Sequence, residues 1–171
     1  MDIQQRLIAA MPAGVRDRVV EQVKILITGA KALSVPILVT EQYPTGLGST
    51  EIELTKQLDD STVVIEKTVF SCAKSDPFCQ QISKQGRKQI ILTGMETHIC
   101  ILQTALDYQA QGFQVFVVED AVSSRSKSNQ YNALQRLRHA GVIITTVESV
   151  IFEWLVDAKH PQFKALAKLI T

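Results

Sequence analysis

Short apolar runs rich in β-branched residues recur along the chain and alternate with segments of helical periodicity. Runs this continuous are typical of strands covered on both faces, as in a parallel sheet. The predicted strands cover residues 35–40, 62–66, 89–93, 114–118 and 142–146. Apolar residues at helical spacing predict helices over residues 14–33, 98–111 and 128–140, with two further helices within 148–170.

This alternation of strands and helices predicts an α/β fold with a doubly wound, mostly parallel sheet. Gly112 and Gly141 stand where helices end, directly before the next strand. Residues 41–60 lack a clear period and are expected to form a loop at the carboxyl edge of the strands, where ligands of α/β proteins bind. No repeat or linker interrupts the pattern, so we expect one domain over residues 1–171.

Composition narrows the class of protein. The 171 residues include 18 Lys+Arg and 17 Asp+Glu, a net charge of +1, and no apolar run reaches the ~18 residues of a membrane-spanning helix. A near-neutral balance gives no electrostatic argument for nucleic-acid or membrane partners. Three cysteines, an odd number, favour free thiols in a reducing compartment, so we expect a cytoplasmic protein.

Residues 92–105 carry the strongest local signal for chemistry. A predicted strand enters a tight turn at Gly94, and a helix begins within a few residues, which places Cys100 in its first turn. The positive end of a helix favours a thiolate over a thiol, and its unpaired N–H groups suit an oxyanion. The alternative is a buried cysteine that only packs. Cys72 and Cys79 have no comparable setting, and we expect them to be packing thiols.

Two charged residues are further candidates. Lys67 follows a predicted strand and is expected at the same carboxyl edge as Cys100; the alternative is a solvated surface amine. Asp2 precedes an apparent helix start, where a helix N-cap is the alternative.

The three histidines lie far apart without metal-ligand spacing, and no nucleotide-binding glycine motif or serine-hydrolase elbow is present. We therefore expect neither a metal nor a cofactor.

Three segments of the chain resemble, in their order and separation, the signatures of the isochorismatase-like cysteine hydrolases. They are residues 2–4, 66–71 and 94–100. Residues 120–125 and 134–137 fit the same pattern, and the similarity covers essentially the whole chain. Residues 41–48 and 100–107 are most similar to isochorismatase-domain proteins of unassigned substrate. The resemblance implies a Rossmann-like fold of three layers.

The resemblance also implies a Cys-Lys-Asp triad, with Cys100 as nucleophile, Asp2 as general base and Lys67 as its charged partner. The backbone N–H groups of Glu96 and Cys100 would receive the oxyanion, and the Met95–Glu96 peptide bond would be cis. The implied reaction is hydrolysis of a small molecule, at a C–N bond of amide type, through a thioester.

Substrate-pocket candidates are Tyr43, Leu47 and Phe70, together with Glu96. Metal-dependent nicotinamidases of this superfamily carry Asp-x-His after the second strand, whereas residues 40–43 read Thr-Glu-Gln-Tyr. That difference disfavours a metal-assisted nicotinamidase. The cysteine is retained here although vinyl-ether hydrolysis by true isochorismatases does not need it, which favours amide-type chemistry.

A second departure concerns the first strand, which in the family leads into the Asp and for which only Met1 stands here. Without a central strand its neighbours' ladder groups would lie unpaired, at about 1–3 kcal/mol each. We therefore expect the biological protein to begin upstream, or the given chain to lack that strand.

The alternative function is a catalytically silent scaffold or ligand binder. A ribonuclease activity is not supported, because the sequence has no excess of basic residues. By analogy with the family we expect a homo-oligomer whose contact buries Trp154.

Overall fold

The computed structural model describes residues 1–170 and has a mixed α/β fold with parallel strands. The strands are β1 (Leu38–Gln42), β2 (Val63–Lys67), β3 (Gln89–Met95), β4 (Gln114–Ser123) and β5 (Ile143–Thr145). β1 pairs with β2, and β3, β4 and β5 pair in that order, every pair being parallel. The prediction of a doubly wound parallel α/β fold is confirmed.

Helices cover both faces of the strands. They are α1 (Gln5–Ala9), α2 (Val15–Ala32), α3 (Pro44–Leu47), α4 (Ile52–Thr55), α5 (Asp76–Gln85), α6 (Leu102–Ala110), α7 (Lys127–His139), α8 (Val147–Leu155) and α9 (Phe163–Ala167), with a 3-10 turn at Cys72–Lys74 and a π-helical turn at Thr97–Ile101. Over residues 1–170, no helix combines the length and apolarity needed to cross a bilayer.

Two apolar clusters make a three-layer arrangement. One lies between the strands and α2, α8 and α9, and the other between the strands and α5, α6 and α7. The strands supply both, because successive side chains point to opposite faces. On β3, Ile91 packs with the first cluster, whereas Ile90 and Leu92 belong to the second. This two-sided burial explains why β3 and β4 read as unbroken apolar runs, whereas β2 leaves Val63, Val64 and Glu66 exposed, contrary to the expectation of cover on both faces.

The structure differs from the predicted elements mainly at their ends. β1 begins at Leu38 rather than residue 35, after Pro36, which has no N–H to donate to a ladder. β4 extends to Ser123 because a register shift between Leu92 and Gly94 lets pairing with β3 resume. The expected loop over residues 41–60 was partly wrong, since it holds the end of β1 and the short helices α3 and α4.

Residues 1 and 2 connect the two sets of strands. The amino group of Met1 donates to Thr93 O at 2.8 Å, and Met95 N donates back to Met1 O at 3.0 Å. On the other side, Asp2 N donates to Thr40 O at 3.0 Å. These bonds hold Asp2 between the carboxyl ends of β1 and β3.

Candidate active site

Asp2 and Lys67 form a fully buried ion pair. Lys67 Nζ lies 2.8 Å from Asp2 Oδ2, and neither side chain has exposed surface. Thr40 donates its hydroxyl to the other carboxylate oxygen, Oδ1, at 2.6 Å. Asp2 adopts a left-handed backbone conformation with φ 54°, which aspartate tolerates better than most residues. The helix N-cap alternative is wrong, because Gln4 precedes the first helix and the Asp2 carboxylate faces Lys67.

The Lys67 ammonium is held by acceptors from several directions. Besides Asp2 it donates to Gln42 Oε1 at 2.6 Å, and it lies 3.3 and 3.4 Å from the carbonyl oxygens of Val69 and Phe70. The Gln42 amide group is fixed in turn, since its Nε2 donates to Thr68 O at 2.6 Å. The surface-amine alternative for Lys67 is therefore wrong. Gln42 was not among the predicted site residues.

The third predicted member, Cys100, lies in the π-helical turn between β3 and α6, where its side chain is buried. The pKa of the Cys100 thiol is raised to about 12, chiefly by burial; the Asp2 carboxylate also raises it, and the Lys67 ammonium lowers it. The three side chains therefore lie within electrostatic reach of one another. Strand β2, the β3–α6 turn and residues 1–2 bring them together from distant parts of the chain.

The helix end does not by itself decide the charge of Cys100, because the surroundings of the thiol raise its pKa. The positive end of a helix contributes only about half a unit of charge. Burial and the Asp2 carboxylate both oppose ionisation of Cys100, and together they exceed the effect of Lys67. The resting nucleophile candidate is therefore a neutral thiol next to a carboxylate that can accept its proton.

Glu96 begins the turn that carries Cys100. The Met95–Glu96 peptide bond is cis, as the resemblance implied. The Glu96 side chain is buried and accepts the Arg125 backbone N–H at 2.9 Å and the Arg125 guanidinium at 2.7 Å. This double contact ties the segment after β4 to the nucleophile turn. Arg125 itself was not among the predicted site residues.

The peptide N–H of Glu96 has no hydrogen-bond acceptor within residues 1–170. The Glu96 carbonyl, by contrast, accepts from Ile99 at 3.0 Å and from Ile101 at 3.3 Å. Buried peptide N–H groups without a partner are rare and costly. An unused donor beside Cys100 is a feature that an oxyanion site requires.

A second thiol, Cys72, lies close to the site and is packed in the core, as expected. Cys72 is fully buried, and its N–H donates to the Thr104 hydroxyl at 2.9 Å. Thr104 lies about one helical turn after Cys100. Burial raises the pKa of the Cys72 thiol, and the Lys67 ammonium lowers it. The adjacent hydroxyl of Ser71 is buried without a partner in the described residues. Periodicity offered no signal for either residue.

The pocket candidates lie at the same edge of the strands. Tyr43 N donates to Lys67 O at 2.8 Å, while its ring is exposed and packs over Gly46. Phe70 is also largely exposed, although its carbonyl faces Lys67. Leu47 is half-buried in α3. The rings of Tyr43 and Phe70 therefore offer exposed apolar surface after the ends of β1 and β2.

The side chains that stand in place of the Asp-x-His pattern serve internal contacts. Thr40 donates to Asp2, and Gln42 accepts from Lys67. Glu41, between them, accepts the N–H and the hydroxyl of Thr50 at 2.6 and 2.7 Å. Each polar group of this segment is therefore committed to holding the loop and the charged pair.

Comparison with known proteins identifies the class to which this fold and site belong. Residues 1–149 match the isochorismatase domain, and the chain is a member of the isochorismatase family. It is 43% identical over 145 residues to isochorismatase domain-containing protein 1 of Danio rerio, a match covering 85% of this chain and 50% of that protein. The chain thus spans about half the length of that curated relative.

Solved structures agree with this assignment. The MAR1 ribonuclease from Caenorhabditis elegans superposes with a TM-score of 0.90 at 37% identity, covering 99% of this chain and 85% of that one. The YcaC gene product of Escherichia coli, described as an octameric hydrolase of unknown specificity, gives a TM-score of 0.91 at 27% identity, covering 99% and 83%. The three-layer isochorismatase-like fold is confirmed.

Proposed function

We propose that this chain is a cysteine hydrolase of a small molecule, cleaving a C–N bond of amide type. The observation that carries the proposal is the buried Asp2–Lys67 ion pair within electrostatic reach of the Cys100 thiol. A buried ion pair is seldom the best way to stabilise a core, because the cost of desolvating two charges offsets their attraction. Membership of a family that includes hydrolases supports the same function.

In the first step Asp2 takes the thiol proton while the sulfur of Cys100 attacks the carbonyl carbon. Transfer of the proton accompanies the attack, because the resting thiol has its pKa raised to about 12. Lys67 stabilises the sulfur as it becomes negative and keeps the carboxylate oriented. The backbone N–H groups of Glu96 and Cys100 stabilise the carbonyl oxygen as it becomes an oxyanion.

In the second half the C–N bond breaks and Asp2 returns its proton to the leaving nitrogen, which departs as ammonia or an amine. The acyl group remains on Cys100 as a thioester. Water then attacks the thioester carbonyl while Asp2 again accepts a proton, and the thiol is regenerated with release of a carboxylic acid. In this proposal Tyr43, Leu47 and Phe70 contact the substrate beyond the reacting carbon.

The test is a panel of small primary amides, nitriles and cyclic imides assayed with the wild type, Cys100→Ala and Cys79→Ala. Cys79 is a matched control because its thiol contacts Ala73 O and the Tyr108 hydroxyl, away from Asp2 and Lys67. We expect hydrolysis to be lost in C100A and retained in C79A. Quenched mass spectrometry should then find the acyl adduct on Cys100. Equal hydrolysis by wild type and C100A would refute the proposal, and a wild type inactive on every compound would favour the silent scaffold.

One comparison names a different activity. The similar C. elegans protein is named the MAR1 ribonuclease, so a structured RNA belongs in the same assay. This chain has a net charge of +1, and RNA-binding domains are usually strongly basic. We therefore expect no RNA cleavage that depends on Cys100. If the wild type cleaves RNA and C100A does not, the proposed substrate is a phosphodiester and not an amide.

We also propose that the protein assembles as a homo-oligomer. The YcaC neighbour is an octamer by its description, and several apolar side chains around the site are exposed here, among them Tyr43, Phe70 and Tyr131. Multi-angle light scattering measures the mass directly. A mass equal to the 19.0 kDa monomer at all concentrations would refute an oligomer.

A further inference from the structure

A surface pocket lies where the N-terminal ends of two helices, α2 and α7, meet the carboxyl end of β4. It encloses about 440 Å³, which is within the range of pockets that bind small molecules. None of Asp2, Lys67 and Cys100 lines it. Its walls are residues 12–15 before and at the start of α2, residues 123–124 after the core of β4, and Lys127 at the start of α7, with Arg18 and Gln130 further along the two helices.

Both helices direct their positive ends towards this pocket. α2 has 18 residues and α7 has 13, and the peptide dipoles of a helix give its N-terminus about half a unit of positive charge. Gly14 precedes α2, so within residues 1–170 no side chain caps its first N–H groups. On α7 the Ser126 hydroxyl accepts the Asn129 N–H only at the long distance of 3.5 Å. Backbone donors left free at a helix N-terminus bind anions.

Two side-chain cations line the pocket, and in the part of the chain that the structure describes neither has a carboxylate partner. Arg18 is held at the end of β4, because its guanidinium donates to Asp120 O at 3.0 Å and lies 3.4 Å from Val122 O. These contacts use two of its five N–H groups. Lys127 is exposed and makes no ion pair within residues 1–170. Of the described residues that line the pocket, none is acidic, so its positive charge is not balanced locally.

The Ser123 hydroxyl is a buried donor without a good acceptor. Ser123 is 1% exposed and lines the pocket. Within residues 1–170 its hydroxyl has one contact, to Ser124 O at 3.5 Å, whereas hydroxyl hydrogen bonds span about 2.5–3.0 Å. The neighbouring hydroxyl of Ser124 is in use, since it lies 2.9 Å from His98 Nδ1. A buried polar group with no close partner is costly and calls for a ligand or another explanation.

We propose that this pocket binds the phosphate group of a small phosphate monoester. An esterified phosphate carries nearly two negative charges at neutral pH and has three terminal oxygens that accept hydrogen bonds. The donors come from separate elements: Arg18 and the free N–H groups of α2, Ser123 of β4, and Lys127 of α7. They can therefore bind different oxygens of one tetrahedral group. A carboxylate has two coplanar oxygens and one charge, and it would leave part of this set unpaired.

The remaining wall of the pocket suits the organic part of the ester. Pro12, Ala13 and Val15 line it with apolar surface, and a single phosphate ion does not fill 440 Å³. The inference does not depend on the proposed hydrolase activity, because its test measures binding and uses no residue of the triad.

The probe is phenyl phosphate, compared with inorganic phosphate and benzoate at pH 7.5 and constant ionic strength. Backbone amide NMR signals of Gly14, Ser123 and Lys127 report occupancy of the pocket, and Gly86, at the end of α5, serves as the distant reference. We expect saturable shifts at the first three residues only. Phenyl phosphate should bind about tenfold more tightly than benzoate because it has more acceptors, and about fivefold more tightly than inorganic phosphate because its ring covers apolar surface.

Two variants test the donors separately. Lys127→Gln removes one cation without breaking a hydrogen bond of the fold, and we expect about tenfold weaker binding of phenyl phosphate. Lys84→Gln is its matched control: Lys84 is exposed on α5 and does not line the pocket, so the same change of net charge should leave the affinity unaltered. Ser123→Ala removes the buried hydroxyl and should weaken binding about fivefold.

Four results would overturn the proposal. The first is no saturable shift at Gly14 and Lys127 up to about 20 mM phenyl phosphate. The second is an equal loss of affinity in K127Q and K84Q, which would indicate unspecific attraction to the net charge. The third is unchanged affinity in both K127Q and S123A, which would place the anion elsewhere. The fourth is binding of benzoate or inorganic phosphate as tight as that of phenyl phosphate, because the pocket would then not select a phosphate ester.

Discussion

The ammonium of Lys67 and the carboxylate of Asp2 are 2.8 Å apart and share no surface with solvent. Sixty-five positions separate them in sequence, and each is delivered by a different part of the structure. Lys67 ends β2, whereas Asp2 is held by bonds to β1 and, through Met1, to β3. Two charges in an apolar interior must compensate each other, so each residue governs the stability and the chemistry of the other.

Removing one charge of this pair should destabilise the fold strongly. Lys67→Met leaves the Asp2 carboxylate buried without its cation, and we expect the free energy of unfolding to fall by about 3–5 kcal/mol. Lys24→Met is the matched control, because Lys24 pairs with Glu21 at 2.7 Å on the surface and should cost less than about 1 kcal/mol. Urea denaturation measures both. Similar losses in the two variants would contradict a special role of burial.

Neutralising Asp2 should make the Cys100 thiol more acidic while removing its base. The carboxylate raises the pKa of Cys100 and the Lys67 ammonium lowers it, so Asp2→Asn lowers that pKa below about 12. Alkylation by iodoacetamide at pH 9, read at Cys100 by mass spectrometry, should therefore be faster in D2N than in the wild type. Asp17→Asn, on the surface of α2, should leave the rate unchanged. A slower reaction in D2N would contradict the assigned electrostatics.

Stability should decline at alkaline pH through the buried thiols. The pKa of Cys100 is raised to about 12 in the folded protein, whereas an unfolded thiol titrates near 8.5. The protonated Cys100 thiol makes its full contribution to the free energy of unfolding below about pH 8.5. This contribution is lost as the pH rises towards 12, at up to about 1.4 kcal/mol per pH unit. Urea denaturation at several pH values should give a flatter profile for C100A. An unchanged profile would mean that Cys100 titrates normally.

The contact between Glu96 and Arg125 should position the nucleophile turn. Arg125→Ala removes the 2.7 Å ion pair and leaves a buried carboxylate held only by a backbone N–H. If the proposed hydrolysis is correct, we expect kcat to fall about tenfold or more with a smaller change in KM, because turn geometry affects the oxyanion more than substrate binding. Arg138→Ala breaks a surface pair with Glu119 at the same 2.7 Å distance and should retain wild-type kcat. Equal effects on kcat would argue against positioning.

Gly94 should tolerate no side chain. Its φ is +116°, and a Cβ there would collide with the carbonyl oxygen of Met1. Gly94→Ala must displace residues 1–2 and thereby Asp2, so we expect a loss of about 3 kcal/mol or more in unfolding free energy. Gly86→Ala is the matched control, since its φ is +61° but nothing lies within 4 Å; it should cost only about 1 kcal/mol. Thermal unfolding of the two variants decides the point.

Sequence alone determined the parallel α/β fold and the family. A strand covered on both faces is apolar at nearly every position, so the runs around Ile90 and Val117 were visible without a structure, and Gly112 and Gly141 marked the helix ends before β4 and β5. The signature around Cys100 was equally local. The order and separation of three motifs along the chain, rather than any single motif, made the resemblance to the isochorismatase family specific.

Tertiary structure decided everything that depends on contact between distant segments. The pKa of the Cys100 thiol could not be predicted from its place in a helix turn, because burial and the Asp2 carboxylate outweigh the helix end. Gln42 and Arg125 were not predicted as site residues, since their roles arise from hydrogen bonds to Lys67 and Glu96, which lie in distant segments of the chain.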